Sequence, residues 1–334
     1  MPTPGSLMAA EISEQPDVLA RLLTHGADAA RHARNAIESY RPRFVIFAAR
    51  GTSDHAALYG KYLVEVQLAL PAGLASPSSV TVYASRPDMR GVLFVAVSQS
   101  GESPDLVESL HVARHCGALT VAVTNNAESP LAHAADRHVD VLAGPERAVA
   151  ATKTYTAQLL ALHLLLGSDD ATSLPDAAAR TLDNAAVPHA AAQRFRDTDR
   201  LVTTARGFSY ATAREAALKL METSYLAAQA FSGADLLHGP MAMLGPDVPV
   251  IAMTSPGRGS TALAPVLDRL AAASVDVLRV GPADGLPVAT EGVPESLLPI
   301  LEILPLQQLA WRLALDRGGD PDRPRGLSKV TETW

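Results

Sequence analysis

The 334 residues are 48% apolar, 19% charged and 4% aromatic, enough for about two domains, each with its own core. Lys and Arg number 28 against 35 Asp and Glu, and the net charge of −7 argues against a general nucleic-acid or anionic-membrane binder, though a local pocket can still hold a small anion. A single cysteine, Cys116, excludes an internal disulfide framework and any multi-cysteine metal site.

Along the chain, Met1–Gln15 lacks a basic-then-apolar leader pattern, and residues 8–38 read as an amphipathic helical arm broken near Gly26. The β-branched run Phe44–Phe47 predicts a strand, followed by Gly51-Thr52-Ser53 and a helix over Asp54–Glu65. Val92–Val97 predicts a second strand, leading through Ser98-Gln99-Ser100-Gly101-Glu102-Ser103 into a helix over Pro104–Val112. Leu119–Val123 is a third strand, and Thr152-Lys153-Thr154 opens a helix whose later residues, Leu159–Leu166, belong to the core. That longest apolar run is too short to cross a bilayer, so a soluble, cytoplasmic protein is expected, with neither membrane nor nucleic acid among its partners.

The polar turn formers of Gly167–Pro175 separate two halves. Beyond them come strands at Leu201–Thr204, Val248–Met253 and Val275–Val280, and a helix over Ala211–Gln229. Gly281–Pro294 reads as a loop, and Asp316–Trp334 as a charged tail that is either disordered or docked by its aromatic end. The second half copies the first at one offset of 156 residues. Ala49-Arg50-Gly51-Thr52-Ser53 meets Ala205-Arg206-Gly207-Phe208-Ser209, Val95–Ser98 meets Ile251–Thr254, and Leu119–Thr124 meets Val275–Val280. Strands alternating with helices in two copies predict an α/β fold of two tandem domains, each a mostly parallel sheet between helical layers, related by internal duplication. The expected division is an arm at 8–38, a first domain at 39–170, a second at 190–318 and a tail at 319–334.

The two loops of the first half place hydroxyls and backbone N–H groups at helix N-termini beyond strand C-termini, where the helix dipole favours an anion and open α/β sheets hold their ligands. Simple N-capping by Ser and Thr explains each loop equally well when it is taken alone. A Ser-Gln-Ser-Gly-x-Ser run without lysine suits a sugar phosphate better than a nucleoside triphosphate, and no G-x-x-x-x-G-K-[ST] or clean G-x-G-x-x-G occurs. In the second half the matching loop is Thr254-Ser255-Pro256-Gly257-Arg258, which lacks that hydroxyl cluster and in which proline removes a donor. Lys219 and Glu222 share a helix face at i,i+3, a spacing that also fits a plain surface ion pair. His238 sits in Leu236-Leu237-His238-Gly239-Pro240, where a capping role is equally open. His111 and His115 beside Cys116 lack further ligands and read as a solvated helix face rather than a metal site.

These motifs, together with Ala150-Ala151-Thr152-Lys153, Ala217-Leu218-Lys219-Leu220-Met221-Glu222 and the tail Pro324-Arg325-Gly326-Leu327-Ser328-Lys329, resemble the isomerase part of glucosamine-6-phosphate synthase, a tandem pair of sugar isomerase (SIS) domains. The resemblance runs from about Met8 to the C-terminus. It implies a phosphosugar site built from Gly51, Thr52, Ser53, Ser98, Gln99, Ser100 and Ser103, with Val149, Ala151 and Lys153 on a loop lining the sugar. It also implies that Glu222 moves the proton between C1 and C2 beside Lys219, and that His238 assists ring opening from the partner subunit of a homodimer. Lys329 would meet the open-chain sugar and can form a Schiff base. Neither a metal nor another cofactor is implied.

Three positions depart from the family pattern: Arg50 stands for a Cys, Ser103 for a Thr and Ala151 for a Ser. The synthase's glutaminase domain, with its N-terminal cysteine nucleophile, has no counterpart in these residues. The layout resembles SIS-type glucosamine-6-phosphate deaminases, which release ammonia and fructose 6-phosphate. The alternatives are a synthase fed by free ammonia or a separate glutaminase, a fructosamine-6-phosphate deglycase, a galactosamine-6-phosphate deaminase/isomerase, and a non-catalytic phosphosugar sensor.

Overall fold

A computed structural model describes residues 3–281 and 284–329. In the arm, α1 (Ser6–Ser13), α2 (Gln15–Arg21) and α3 (Ala27–Tyr40) follow one another, and a π-helical turn at Leu22–Gly26 interrupts them where glycine was expected to break the arm. The chain then runs β1 (Phe44–Ala48), α4 (Thr52–Gln67), β2 (Ala72–Leu74), α5 (Pro77–Thr81), β3 (Val92–Ser98), α6 (Pro104–His115), β4 (Leu119–Thr124), α7 (Pro130–Ala134), β5 (Arg137–Asp140) and α8 (Lys153–Leu166). After α9 (Leu174–Leu182) and α10 (Ala186–Arg194) come β6 (Arg200–Ala205), α11 (Tyr210–Ser224), β7 (Ala227–Ser232), α12 (Gly233–Leu237), β8 (Val250–Met253), α13 (Arg258–Ala272), β9 (Val277–Val280) and α14 (Leu298–Asp316).

Two compact bodies result. The first comprises Asp17–Glu146, Lys153–Asp169 and the tail from Ser328; the second comprises the N-terminal residues through Pro16, Arg147–Thr152 and Asp170–Leu327. The first holds a five-stranded sheet in the order β2-β1-β3-β4-β5, the second a four-stranded sheet in the order β7-β6-β8-β9. Every strand pairing in both is parallel. The first four strand positions thus repeat with the same crossings, which is the duplication read from the sequence. Strands buried on both faces explain the uninterrupted apolar runs such as Val92–Val97. In the first body, Phe94, Ala96 and Ala122 turn to α6 and α7 with Leu106, Leu110 and Leu131. In the second, Val202, Val250 and Ala252 meet Leu236, Leu263 and Val266 of α12 and α13.

One expected element is corrected. The helix expected over Ala211–Gln229 stops at Ser224, because Tyr225 takes a left-handed conformation (φ 57°), and Ala227–Gln229 enter β7. Alanine favours helix locally, but parallel pairing with Arg200–Val202 overrides that preference. The tail is docked rather than loose. Asp322, 3% exposed, accepts hydrogen bonds from the N–H groups of Met8 (2.8 Å) and Leu7 (3.0 Å), and Asp320 accepts one from Gly5 (3.0 Å). These carboxylates satisfy the free donors at the start of α1, a cap of about 1–2 kcal/mol. Trp334, the aromatic end expected to dock, lies outside the described residues.

Candidate active site

In the first body, β1 and β3 are neighbours and pair Ala48 with Ala96, so the loops that follow them open at the same sheet edge. Ser53, 6% exposed, accepts a hydrogen bond from the Gln158 side-chain amide of α8 at 3.0 Å. Ser98 Oγ accepts the Gly101 N–H at 3.1 Å, and Ser100 Oγ accepts the Glu102 N–H at 3.3 Å. A hydroxyl that accepts in this way still has its O–H to donate, the form an anionic ligand requires. Ser103 occupies the N-cap of α6 but its side chain caps nothing. Thr52 and Gln99 are half-buried beside them, and Gly51 is exposed with a positive φ and open space around it.

The second loop is held rigidly. Asn125 N–H donates to the Gln99 carbonyl at 3.1 Å, and Leu131 N–H to the Gly101 carbonyl at 3.1 Å. Gly101 has φ 69°, and a Cβ there would lie under 3.0 Å from Ser129 Oγ, so only glycine fits. Arg50, the departure from the family pattern, has a local explanation: its Nε and Nη2 lie 2.8 and 2.6 Å from Oδ2 of the buried Asp105 in the first turn of α6. It therefore ties the first loop to the helix that the second loop opens.

Lys329 also belongs to the first body. Its Nζ lies 3.2 Å from Oε2 of Glu146, a carboxylate with no solvent exposure whose Oε1 accepts the Thr154 N–H at 3.1 Å in the first turn of α8. One buried acid thus seats the tail lysine and anchors a helix start. Lys153, first residue of α8, is itself buried at 2% exposure. Val149 and Ala151 fall with the second body and are half-buried, and the Val149 N–H donates to the Asp322 carbonyl at 3.1 Å.

The second body carries the acid–lysine helix. Lys219, 1% exposed, places Nζ 2.5 Å from Glu222 Oε2 and 3.3 Å from Glu215 Oε1. Glu215 is fully buried, whereas the Glu222 side chain keeps 21% exposure and is reachable by a ligand. Burial alone would lower the Lys219 pKa, but the two carboxylates outweigh it and hold the ammonium well above the usual lysine range. His238, at the C-terminal end of α12, is exposed and makes no hydrogen bond to this trio. Gly239 follows it with φ 131°.

A further buried acid, Glu302 of α14, was not anticipated from the sequence. It has no exposed surface and neither carboxyl oxygen has a hydrogen-bond partner among the described residues. Burial pushes its pKa up to about 7; the Ser209 and Ser255 groups near it pull down without closing a bond, and Glu295 adds to the rise. An acid whose pKa rises on folding supports the fold fully below about pH 4.5, and that support is lost as pH climbs through about 7. Glu302→Gln is therefore expected to match the parent in stability near pH 4 and exceed it by up to about 3 kcal/mol near pH 8. Thermal melts at the two pH values check this; an equal difference at both would show that Glu302 does not titrate in this way.

The sequence reading passed over Glu215, Glu146, Asp105 and Gln158. Glu215 had a signal, its i,i+4 spacing from Lys219. The other three are partners brought from distant elements and had none. His111 and His115 are exposed on α6, and no cluster of three or more His, Cys, Asp or Glu suited to a metal occurs among the described residues. No described helix is long and apolar enough to cross a membrane.

Two parallel sheets in one repeated strand order, with ligand-type loops at the strand ends of one body and a buried acid–lysine helix in the other, define a duplicated α/β protein of the open-sheet class. Residues 40–168 and 194–291 match the SIS domain model, and the chain belongs to the SIS domain family. It is 35% identical over 362 residues to the glutamine–fructose-6-phosphate aminotransferase (isomerizing) of Symbiobacterium thermophilum, covering 96% of this chain and 58% of that protein. The chain thus spans little more than half the length of such relatives. Among solved structures, the C-terminal domain of glucosamine-fructose-6-phosphate aminotransferase from Francisella tularensis is 25% identical with a TM-score of 0.85, covering 95% of this chain and 98% of the other. The glucosamine-6-phosphate deaminase of Thermotoga maritima shares the fold at a TM-score of 0.81 and 21% identity, over 98% and 100% of the two chains.

Proposed function

We propose that the chain is an aldose–ketose isomerase of amino-sugar 6-phosphates, converting glucosamine 6-phosphate and water to fructose 6-phosphate and ammonia. The observation that carries this reading is the Lys219–Glu222 pair: a carboxylate 2.5 Å from a buried ammonium yet still one-fifth exposed. Such a group is oriented, anionic in its contacts and accessible, as a base for a C–H proton must be. The serine loops supply remote binding energy through the phosphate and hold the reacting carbons in place.

In this scheme the exposed His238, contributed across a homodimer, helps transfer the ring-oxygen proton as the pyranose opens. Glu222 removes the C2 proton of the open aldose and returns a proton to C1 while an amine proton passes to O1, leaving a hydroxyl at C1 and an imine at C2. The Lys329 amine, released from Glu146, displaces ammonia from that imine, and water then hydrolyses the lysine Schiff base to the ketone and free amine. Atoms balance with one water consumed and one ammonia released, and no electron acceptor is involved.

The only cysteine in these residues, Cys116, sits at the C-terminal end of α6, so they offer no glutamine-hydrolysing nucleophile of the synthase type. A second reading, synthesis from fructose 6-phosphate with free ammonia or a separate glutaminase, is favoured by the aminotransferase names of the relatives at 35% identity. The deciding experiment is an ammonia assay without glutamine across glucosamine, galactosamine and fructosamine 6-phosphates. Equal amounts of ammonia and fructose 6-phosphate from the glucosamine substrate are expected. Absence of ammonia from every substrate, with glucosamine 6-phosphate formed when fructose 6-phosphate and ammonia are supplied, would leave the second reading standing.

A further inference from the structure

The second body repeats the loop architecture of the first, and its contents differ in one respect that bears on ligand binding. At the 156-residue offset, α13 stands for α6, Gly259 for Ser103, Gly257 for Gly101 and Ser255 for Gln99. The start of α13, a 15-residue helix, should present free N–H groups and the positive end of its dipole. Instead, Glu295 reaches it from the short helical turn ahead of α14 and accepts the Gly259 N–H through Oε1 at 2.8 Å.

Room has been made for that carboxyl group. A Cβ on Gly257 would fall under 3.0 Å from the Glu295 carboxyl atoms, although the Gly257 backbone is extended (φ 161°) and needs no glycine for conformation. Gly259 lets the two loops close up, since a Cβ there would lie 2.5 Å from the Arg206 carbonyl oxygen. Two further polar groups lie in or beside these loops. Ser255 Oγ is buried without a hydrogen-bond partner among the described residues, and the buried Glu302 lies near enough to Ser209, Ser255 and Glu295 to feel each of them. Exposed Arg258 stands at the first helical position. A helix N-terminus, an exposed cation and a buried unpaired hydroxyl together are parts of an anion cradle.

We infer that the duplicated half keeps an anion cradle and fills it with its own carboxylate, Glu295, in the place corresponding to the α6 start of the first half. The second half is then self-liganded. Removing the Glu295 carboxylate opens the second cradle to an external oxyanion of the phosphate class. The contrast with the first half rests on the phosphate reading of its serine loops; the occupancy of the second half does not.

The test follows the Gly259 and Ser103 amides in the 15N-labelled full chain, with inorganic phosphate as the probe. In the parent chain the Gly259 amide is expected to ignore phosphate. In Glu295→Ala it is expected to shift with phosphate and saturate. The inference is overturned if the Gly259 amide of the parent follows phosphate, or if that of a folded Glu295→Ala chain does not. Should Glu295→Ala fail to fold, Glu295→Ser takes its place, with the same expectation and the same overturning result. The Ser103 amide reports separately on the first-half reading, so either failure is recognised for what it is.

Discussion

Glu222→Gln is expected to remove turnover of glucosamine 6-phosphate, lowering kcat by a factor on the order of 10³ or more, within or above the range for loss of a general base. Glutamine preserves shape, and its amide oxygen can still accept from Lys219 Nζ, which also keeps its contact with Glu215. The fold and the apparent KM should therefore change little, since phosphate binding resides in other residues. A second readout comes from turnover in D₂O. Because the partly exposed Glu222 can exchange its proton with solvent between removal and return, the parent enzyme should place solvent deuterium at C1 of part of the product, and the variant should form no labelled product during the same interval. Turnover of Glu222→Gln within a few-fold of the parent would remove Glu222 from the chemistry, whatever the substrate.

Lys219→Met should have the largest effect on stability. Lys219 is 1% exposed and lies between a fully buried carboxylate and a half-buried one. Deleting it takes from the buried Glu215 the ammonium 3.3 Å away and breaks a buried ion pair, at a cost of about 3–5 kcal/mol. Activity should also fall, because Glu222 loses the contact that orients it. The double variant Glu215→Gln/Lys219→Met separates the two roles. Neutralising Glu215 should restore most of the stability measured by urea melts, while turnover stays low because Glu222 remains unsupported. A double variant no more stable than the single one would mean that the buried charge is not the source of the loss. A double variant with full activity would confine Lys219 to structure.

Both predictions depend on features of different legibility. The Lys219–Glu222 pair was visible as an i,i+3 spacing, but the spacing by itself favours a plain surface ion pair. Only burial distinguishes the two, and burial comes from α14 packing along α11. The serine loops were similarly legible as caps or as anion loops. What the structure adds is that the Ser98 and Ser100 hydroxyls accept from their own loop and that Arg50 bridges to Asp105. The misread end of the Ala211–Gln229 helix shows the opposite case. Alanines favour helix over a short window, yet three of those residues are drawn into β7 by a neighbouring strand.

The amino-acid sequence alone determined the α/β class, the tandem repeat in one register, the sheet strands with long apolar runs and the position of the hydroxyl loops. Those features are written in periodicities of a few residues and in a copy of the chain against itself, so no partner is needed to read them. Tertiary structure alone decided which acids are buried or half-buried and what they face: Glu215 against Lys219, Glu146 against Lys329, Asp322 at the start of α1, and the half-buried Glu295 at the start of α13. The reason is physical. The cost of burying a charge and the gain from pairing it both depend on the atoms that folding brings around it, and in three of these four cases those atoms lie on distant parts of the chain.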